Sequence, residues 1–415
     1  MSTARLSFAL CLTMFAVAAQ AQSRGPAAQY WVDLSTSNMS IPGMPEEGSM
    51  GGGLLGGLMG GNNFGRSMGM GERGKLLDAE LYVRAHPSGV EGTHAIPGGM
   101  NMGSSLLLMP YRPKQEPQGA RSDGPGEAEK PKGRILLYWG CGDTIRPGQP
   151  KVLDLGKQDY AEFAQFFSSH GAPSKGVQGR PGHSLWPNER DSKRVPDNAS
   201  LVGEHAVSGD GVPASLKFNV GAAHDFLPKA QLSTKGMPSE GVQVAWNAME
   251  NAKGYFLQAQ GAASGPDGAQ DMIFWSSSEK PENGWSLMTY QAPAQIAKLL
   301  QQKVILAPST VNCTVPKGIF DKAEGAMLNM IAYGPELNLS YPARPAKAAA
   351  DWQPEWTARV RIKSTGMTML GMEDGGRQPR AGRQGASDAS SAGEEGQQAP
   401  NLPNPVKLLK GLFGK

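Results

Sequence analysis

The stretch GVQVAWNAMENAKGYFLQAQG, Gly241 to Gly261, decides the class of fold. Val242, Val244 and Trp246 recur at every second residue, and so do Tyr255, Leu257 and Ala259 after a short polar interval. A period of two places each set on one face of a strand, whereas a helix needs apolar residues three and four apart. Two consecutive strands joined by a loop are therefore expected.

The same reading extends in both directions. Downstream come QDMIFWSSS, NGWSLMTY, KVILAPS, VNCTVPKGIF, AMLNMIAYG, ELNLSYP and EWTARVRIKS, short apolar rows of strand length. AQIAKLLQQK, from Ala294, has helical spacing. Upstream, LDAELYVRAH (Leu77 to His86) alternates Ala79, Leu81, Val83 and Ala85 with Glu80, Tyr82 and Arg84, the pattern of a half-buried strand. SSLLLMPYRP, GRILLYWG, KVLDL, SLVGEHAV and ASLKFNV continue the series. Between SSLLLMPYRP and GRILLYWG, Lys114 to Lys132 is too rich in Pro, Gly and charge to bury a core, which marks a mobile insertion between paired strands. DYAEFAQFFSSH, Asp159 to His170, reads as a helix with Tyr160, Phe163, Phe166 and Phe167 on one side.

VQVAW followed by AKGYFLQA resembles the B and C strand region of a fibronectin type III-like sandwich, where a strand ending in Trp precedes an Ala-x-Gly-Tyr strand start. The resemblance covers residues 241–315 and implies a binding or spacer module, a fold that offers loops rather than a fixed chemistry. Trp275, Trp285 and the helical row from Ala294 depart from a seven-strand module and leave the strand count open.

The two ends differ from this middle. MSTARLSFALCLTMFAVAAQAQ carries one cation, Arg5, then an apolar run from Leu6 to Ala18 and an Ala-Gln-Ala step, the pattern of a secretory signal peptide over residues 1–21. The run is about 13 residues, short of the ~20 a helix needs to span a bilayer. QYWVDLSTSN (Gln29 to Asn38) alternates like a short first strand or a docking segment, and a Gly and Met tract follows from Gly43 to Gly74. Residues 22–75 are together read as a flexible segment. Residues 364–403 are polar and of disordered composition. In the final segment, 404–415, Val406, Leu409, Leu412 and Phe413 fall opposite Lys407 and Lys410 at about 100° per residue, a basic amphipathic tail suited to a membrane surface or a partner's groove.

The net charge is +3, and loss of Arg5 with the leader leaves +2. Such a balance supplies no basic field for nucleic acid. Loss of Cys11 leaves Cys141 and Cys313, which in an oxidising compartment either bridge or stay buried as small apolar thiols.

Candidate chemistry is sparse. Cys141 in WGCGDT, with His183 and His224, is the best constellation for a hydrolase, but no histidine sits in a motif around either cysteine. Gly140 and Gly142 suit positive φ at a strand end and lack the spacing of a phosphate loop. GHSLW has Trp where a nucleophile elbow needs Gly, and no Cys or His pair has zinc spacing. The 20 methionines include Met68 with Met70, Met100 with Met102, and Met367, Met369 and Met372, soft donors for Cu(I). The expectation is a mainly β protein of two sandwich-like domains, 76–240 and 241–363, with few short helices and disordered tracts. Its expected role is that of an exported, periplasmic or secreted, non-enzymatic binding or scaffold protein without a cofactor. Its partner would be an envelope protein or membrane surface reached through the tail, and no transmembrane helix is expected after the leader.

Overall fold

The structure is a computed structural model that describes residues 25–40, 62–69, 73–113, 133–157, 160–264, 269–323, 325–349 and 351–371. The leader, the insertion at 114–132, most of the Gly and Met tract and of 364–403, and the tail lie outside the described residues. The protein is mainly β. Its first strands are β1 (Ala28–Ser40), β2 (Gly74–Val83), β3 (Gly92–Ala95), β4 (Ser105–Pro110), β5 (Arg134–Trp139) and β6 (Lys151–Asp154). Next come β7 (His183–Trp186), β8 (Gly203–Gly209), β9 (Lys217–Val220), β10 (Ser233–Lys235) and β11 (Val242–Ala245). The last are β12 (Gly254–Ser264), β13 (Gln270–Ser276), β14 (Asn312–Val315), β15 (Ala326–Tyr341) and β16 (Trp356–Leu370). Among the described residues two α-helices, α1 (Tyr160–Phe166) and α2 (Pro293–Gln301), interrupt them.

Among the described residues, 13 strands form one sheet in the order β6, β5, β13, β12, β15, β16, β1, β2, β7, β4, β3, β8, β9. The other three form a small sheet in the order β10, β11, β14. Residues 28–40, at the head of the segment read as flexible, are a 13-residue strand in the middle of the long sheet. β1 runs parallel to β16, with Val32 opposite Val360, and β5 runs parallel to β13. Backbone ladders thus cross the division expected at residue 240 in three places, the third being β10 with β11. β16 also continues past residue 363 to Leu370. The strands flanking 114–132 are not paired as expected: β4 bonds to β3 and β7, and β5 to β13 and β6.

The long sheet stacks against other strands at two places, and one apolar core serves both. Tyr30, Val32 and Leu34 of β1 share that core with Leu77, Ala79 and Leu81 of β2 and with Leu106, Val207 and Phe218 of β4, β8 and β9. Tyr30 lies 6.1 Å from Phe218 across the stack, although β1 and β9 are far apart in strand order. At the second place the small sheet contributes Val242, Val244 and Val315. Trp246 there packs edge-on to Tyr255, 5.5 Å away. The alternation of the opening stretch is realised: Tyr255, Leu257 and Ala259 enter this core. Phe256, on the opposite face, packs with Ile331, Tyr333 and the α2 residues Ile296 and Leu299. Phe166 of α1 covers Ile135, Leu137 and Phe274 beside it. The helix expected to reach His170 ends at Phe166, because the Glu282 carboxylate takes the His170 amide at 2.8 Å and draws the chain away.

Cys141 and Cys313 form a disulfide with Cα atoms 5.3 Å apart. It ties the end of β5 to β14, hence the long sheet to the small one. Gly140 and Gly142 have φ of 95° and 150°, and the Trp275 indole donates to the Gly140 carbonyl at 3.0 Å. The bridge closes a separation of 172 residues, and the chain-entropy relation puts its contribution at about 5 kcal/mol. Replacing both cysteines with Ser is expected to lower the guanidinium unfolding free energy by about 2 to 5 kcal/mol. An unchanged midpoint would contradict this.

A second buried feature links titration to stability. The Tyr30 hydroxyl bonds His94 Nδ1 at 2.6 Å, His94 Nε2 meets His205 Nδ1 at 2.9 Å, and His205 Nε2 donates to the Leu201 carbonyl at 2.8 Å. One direction of donation satisfies the whole chain with both imidazoles neutral, the tautomers being assigned from the network. Burial, then His205, holds His94 well below the usual histidine range, and burial lowers His205 as well. The folded state therefore binds fewer protons than the unfolded one, and this stability is lost as pH falls below about 6.5. Unfolding free energy measured from pH 7.5 to 5 should fall less in a His94→Phe, His205→Leu variant than in the parent; identical slopes would refute the link.

Candidate functional site

From Ala28 to Leu34 the even-numbered side chains of β1 are apolar, whereas Asp33, Ser35 and Ser37 on the other face are polar. Asp33 stands opposite Arg361 on one side and Asp78 on the other, and Ser35 stands opposite Lys363. All are buried. The Arg361 guanidinium forks onto Asp33, with Nε to Oδ1 at 2.6 Å and Nη2 to Oδ2. Its remaining nitrogen, Nη1, donates to the Ser174 carbonyl at 2.6 Å and hydroxyl at 3.0 Å. The Val177 amide donates to Asp33 at 3.3 Å, and the Gln178 and Gly179 amides to Glu80 at 2.8 and 3.1 Å. His183 Nδ1 reaches the other Glu80 oxygen at 2.8 Å. Gly176 permits this closeness, since a Cβ there would lie 1.6 Å from an Arg361 nitrogen. Asp78 holds a second segment through the Gly65 and Ser67 amides, both at 2.8 Å. The Tyr290 ring lies 4.3 Å from the Arg361 guanidinium and 4.9 Å from Lys363 Nζ, and its hydroxyl donates to the Leu34 carbonyl at 2.9 Å.

Burial dominates the titration of this face. It pushes Asp78 up to about 6 against the pull of its Ser67 and Gly65 hydrogen bonds, and it brings Lys363 down to about 8. It also pushes Glu80 up, but His183 and the backbone amides outweigh it and leave that carboxyl lowered. Burial raises Asp33 while the paired Arg361 pulls it back, and Arg361 itself stays charged. Chemically, the cluster pins residues 65–68 and 174–179 onto the sheet.

A more open arrangement lies where the Ser168–Gly171 and Glu282–Ser286 loops meet. Glu282, fully buried, accepts from the Ser169 hydroxyl at 2.7 Å, the His170 amide at 2.8 Å and the Gly284 amide at 3.0 Å. It also takes His170 Nδ1 at 3.0 Å. With Nδ1 on Glu282, Nε2 of this partly exposed ring is the nitrogen left for an outside partner. Beside it Trp285 is 39% exposed, 4.9 Å from Phe167, which contacts Phe163 and Phe166 at 4.5 and 5.3 Å. Loops thus carry an exposed, ring-packed tryptophan next to a held imidazole.

The residues singled out from sequence are dispersed. Cys141 is bridged to Cys313 and offers no thiol. His183 is buried between Glu80 and Arg180, whose Nε lies 3.0 Å from its Nε2. His224 ends a single 3-10 turn after β9, its pKa lowered by burial and by Lys253. The hydrolase constellation is therefore not assembled. Met100 and Met102 are packed in the main core, and the Met68 sulfur lies 3.8 Å from Arg361 Nη2. Met367 and Met369 share one face of β16. Met70 and Met372 lie outside the described residues, as do the tail positions Val406, Lys407, Leu409, Lys410, Leu412 and Phe413. His170, Glu282 and Trp285 were not marked as a site from sequence; the ENGW turn at 282–285, with an exposed Trp, was the available signal. An open depression lined by Thr93, Ser105, Leu107, Arg190, Asp191 and Lys193 has its cations paired, Arg190 with Glu91 and Lys193 with Asp191. Among the described residues no three His, Cys, Asp or Glu are grouped to hold a metal ion, and no helix is long and apolar enough to cross a membrane.

No family model matches the chain, and no curated protein matches it. A solved structure titled "Cytokine receptor complex - Crystal form 1A" is 12% identical over 68% of this chain and 90% of its own. At a TM-score of 0.17 the superposition carries no argument.

The buried face makes an exchange testable. The Lys363 pKa of about 8 lies below the ordinary 10.5, so the unfolded state binds more protons between those values and stability rises with pH across them. Lys363→Met is expected to be neutral or stabilising by about 1 to 4 kcal/mol at pH 7 and to lose that alkaline rise. Urea unfolding from pH 7 to 10.5 reads both; a destabilised variant that keeps the rise would contradict the assignment.

Proposed function

We propose that this is an exported, non-enzymatic binding or scaffold protein of the bacterial envelope or periplasm. The observation that carries the reading is the Cys141 to Cys313 bridge between the two sheets, a bond that persists in oxidising compartments. The secretory pattern of residues 1–21 agrees with it. Binding rather than chemistry is favoured by how the charges are used. Asp33, Asp78, Glu80 and Arg361 hold backbone, and the exposed feature of the loops is aromatic. Trp is enriched among the anchors of protein contacts. The fibronectin type III-like resemblance is supported by β11 and β12 lying in different sheets and packing through Trp246 and Tyr255. The basic amphipathic segment 404–415 would supply a second contact, to a membrane or partner.

Osmotic-shock fractionation of a tagged full-length protein should place it in the periplasmic or secreted fraction with no free thiol. Trp285→Ala or removal of residues 402–415 should weaken envelope association about tenfold, or 1.4 kcal/mol. Cytoplasmic retention with two free thiols would overturn export, and association unchanged by both alterations would overturn the binding surfaces.

A further inference from the structure

The polar face of the central strands changes character along its length. Beyond Ser37 and Thr365, which are hydrogen-bonded to each other at 3.0 Å, the next odd positions are methionines. Met39 of β1 stands opposite Met367 of β16, Met367 stands opposite Asn329 of β15, and Met369 stands opposite Met327. Directly paired residues in a sheet present side chains on one face about 4.5 to 5.5 Å apart, and residues two apart along a strand follow at about 7 Å. Four thioethers from three adjacent strands therefore rise from one small area. Met has three rotatable side-chain bonds, enough for their sulfurs to converge above it. All four are half-buried, neither sealed in the core nor spread in solvent.

A second observation falls in the same row. Asn329 is 4% exposed, and its Oδ1 has no hydrogen-bond partner. Its pairing with Met367 puts it on the methionine face, and a buried amide oxygen left unsatisfied in a sheet this well bonded calls for a partner. The chemistry of the row narrows what that partner is. It contains no carboxylate or imidazole, the nearest ionised group on the face is the cation Lys363, and the Asp33 carboxylate beyond it is held by Arg361, so a hard or divalent ion has nothing to bind. Neutral thioether sulfur selects soft, monovalent metal. The thiols that would compete for such a metal are joined as Cys141 and Cys313.

We propose that Met39, Met327, Met367 and Met369, with Asn329 Oδ1 as a weak further donor, form a copper(I) site at the end of the central sheet. It differs from the sets adjacent in sequence, because two of its four sulfurs join only through strand pairing. It is independent of the binding reading given above, which survives or fails on other residues.

The test uses the full-length oxidised protein, with copper(I) kept reduced by ascorbate, which leaves the disulfide intact, and titrated anaerobically against a chromogenic chelator. The parent should hold one equivalent at least about 100-fold more tightly than a Met39→Leu, Met327→Leu, Met369→Leu variant, whose swaps conserve volume and are expected to keep the fold. Circular dichroism confirms folding, and a Met100→Leu, Met102→Leu variant should bind as the parent does. Silver(I) added to protein labelled at the methionine methyl carbons should shift the signals of Met39, Met327, Met367 and Met369. The proposal is overturned if no copper(I) binds, if the triple variant binds as tightly as the parent, or if the shifted signals belong to other methionines, such as those of the Gly and Met tract.

Discussion

The ion pair of Asp33 and Arg361 stands where the two ends of the described chain meet. It joins residues 328 apart in sequence across the parallel pairing of β1 and β16, in the middle of the long sheet. Two charges cost much to bury, and a pair repays that cost only when every remaining lone pair and N–H is satisfied. Ser174 and Val177 supply those bonds from a loop that has no regular structure of its own. The loop in turn needs the charges, because its amides and carbonyls would otherwise be buried without partners. Sheet and loop are thus each other's hydrogen-bonding environment, and Gly176 lets them touch.

This arrangement explains what the sequence showed and what it hid. The alternation of Ala79, Leu81 and Val83 marked β2 correctly as a strand, but Glu80 on its polar face, with Asp78 beside it, is buried rather than turned to water. Period-two patterning separates polar from apolar faces; it does not tell water from a loop that presents amides. The long-range pairing was hidden for a related reason. β1 pairs with a strand at the far end of the chain, and no local signal announces a non-local parallel partner. Gln29 to Asn38 reads as a short first strand or a docking segment, and nothing local joins it to the far end of the chain rather than to the Gly and Met tract that follows. AMLNMIAYG and ELNLSYP read as two strands because Gly334 and Pro335 separate them; they are one strand, β15, with an irregularity between Tyr333 and Glu336.

The site residues were less legible than the strands. An even cysteine count after an expected leader was enough to raise the Cys141 and Cys313 bridge. His170 and Glu282 lie 112 positions apart and meet only because two loops cross. The methionines divide the same way. Met367 and Met369 are visible as neighbours in the chain, but Met39 and Met327 join them through register alone. Chemistry built across strands leaves its trace in pairing rather than in spacing.

The most direct measurement is a double-mutant cycle on the central pair, with Asp33→Asn, Arg361→Met and both together, each unfolded in guanidinium at pH 7. If the buried charges hold one another and the covering loop, each single variant loses stability, the double variant is more stable than either, and the coupling is about 2 kcal/mol or more. Additive losses, with a coupling near zero, would show that the sheet and its loop do not depend on the pair.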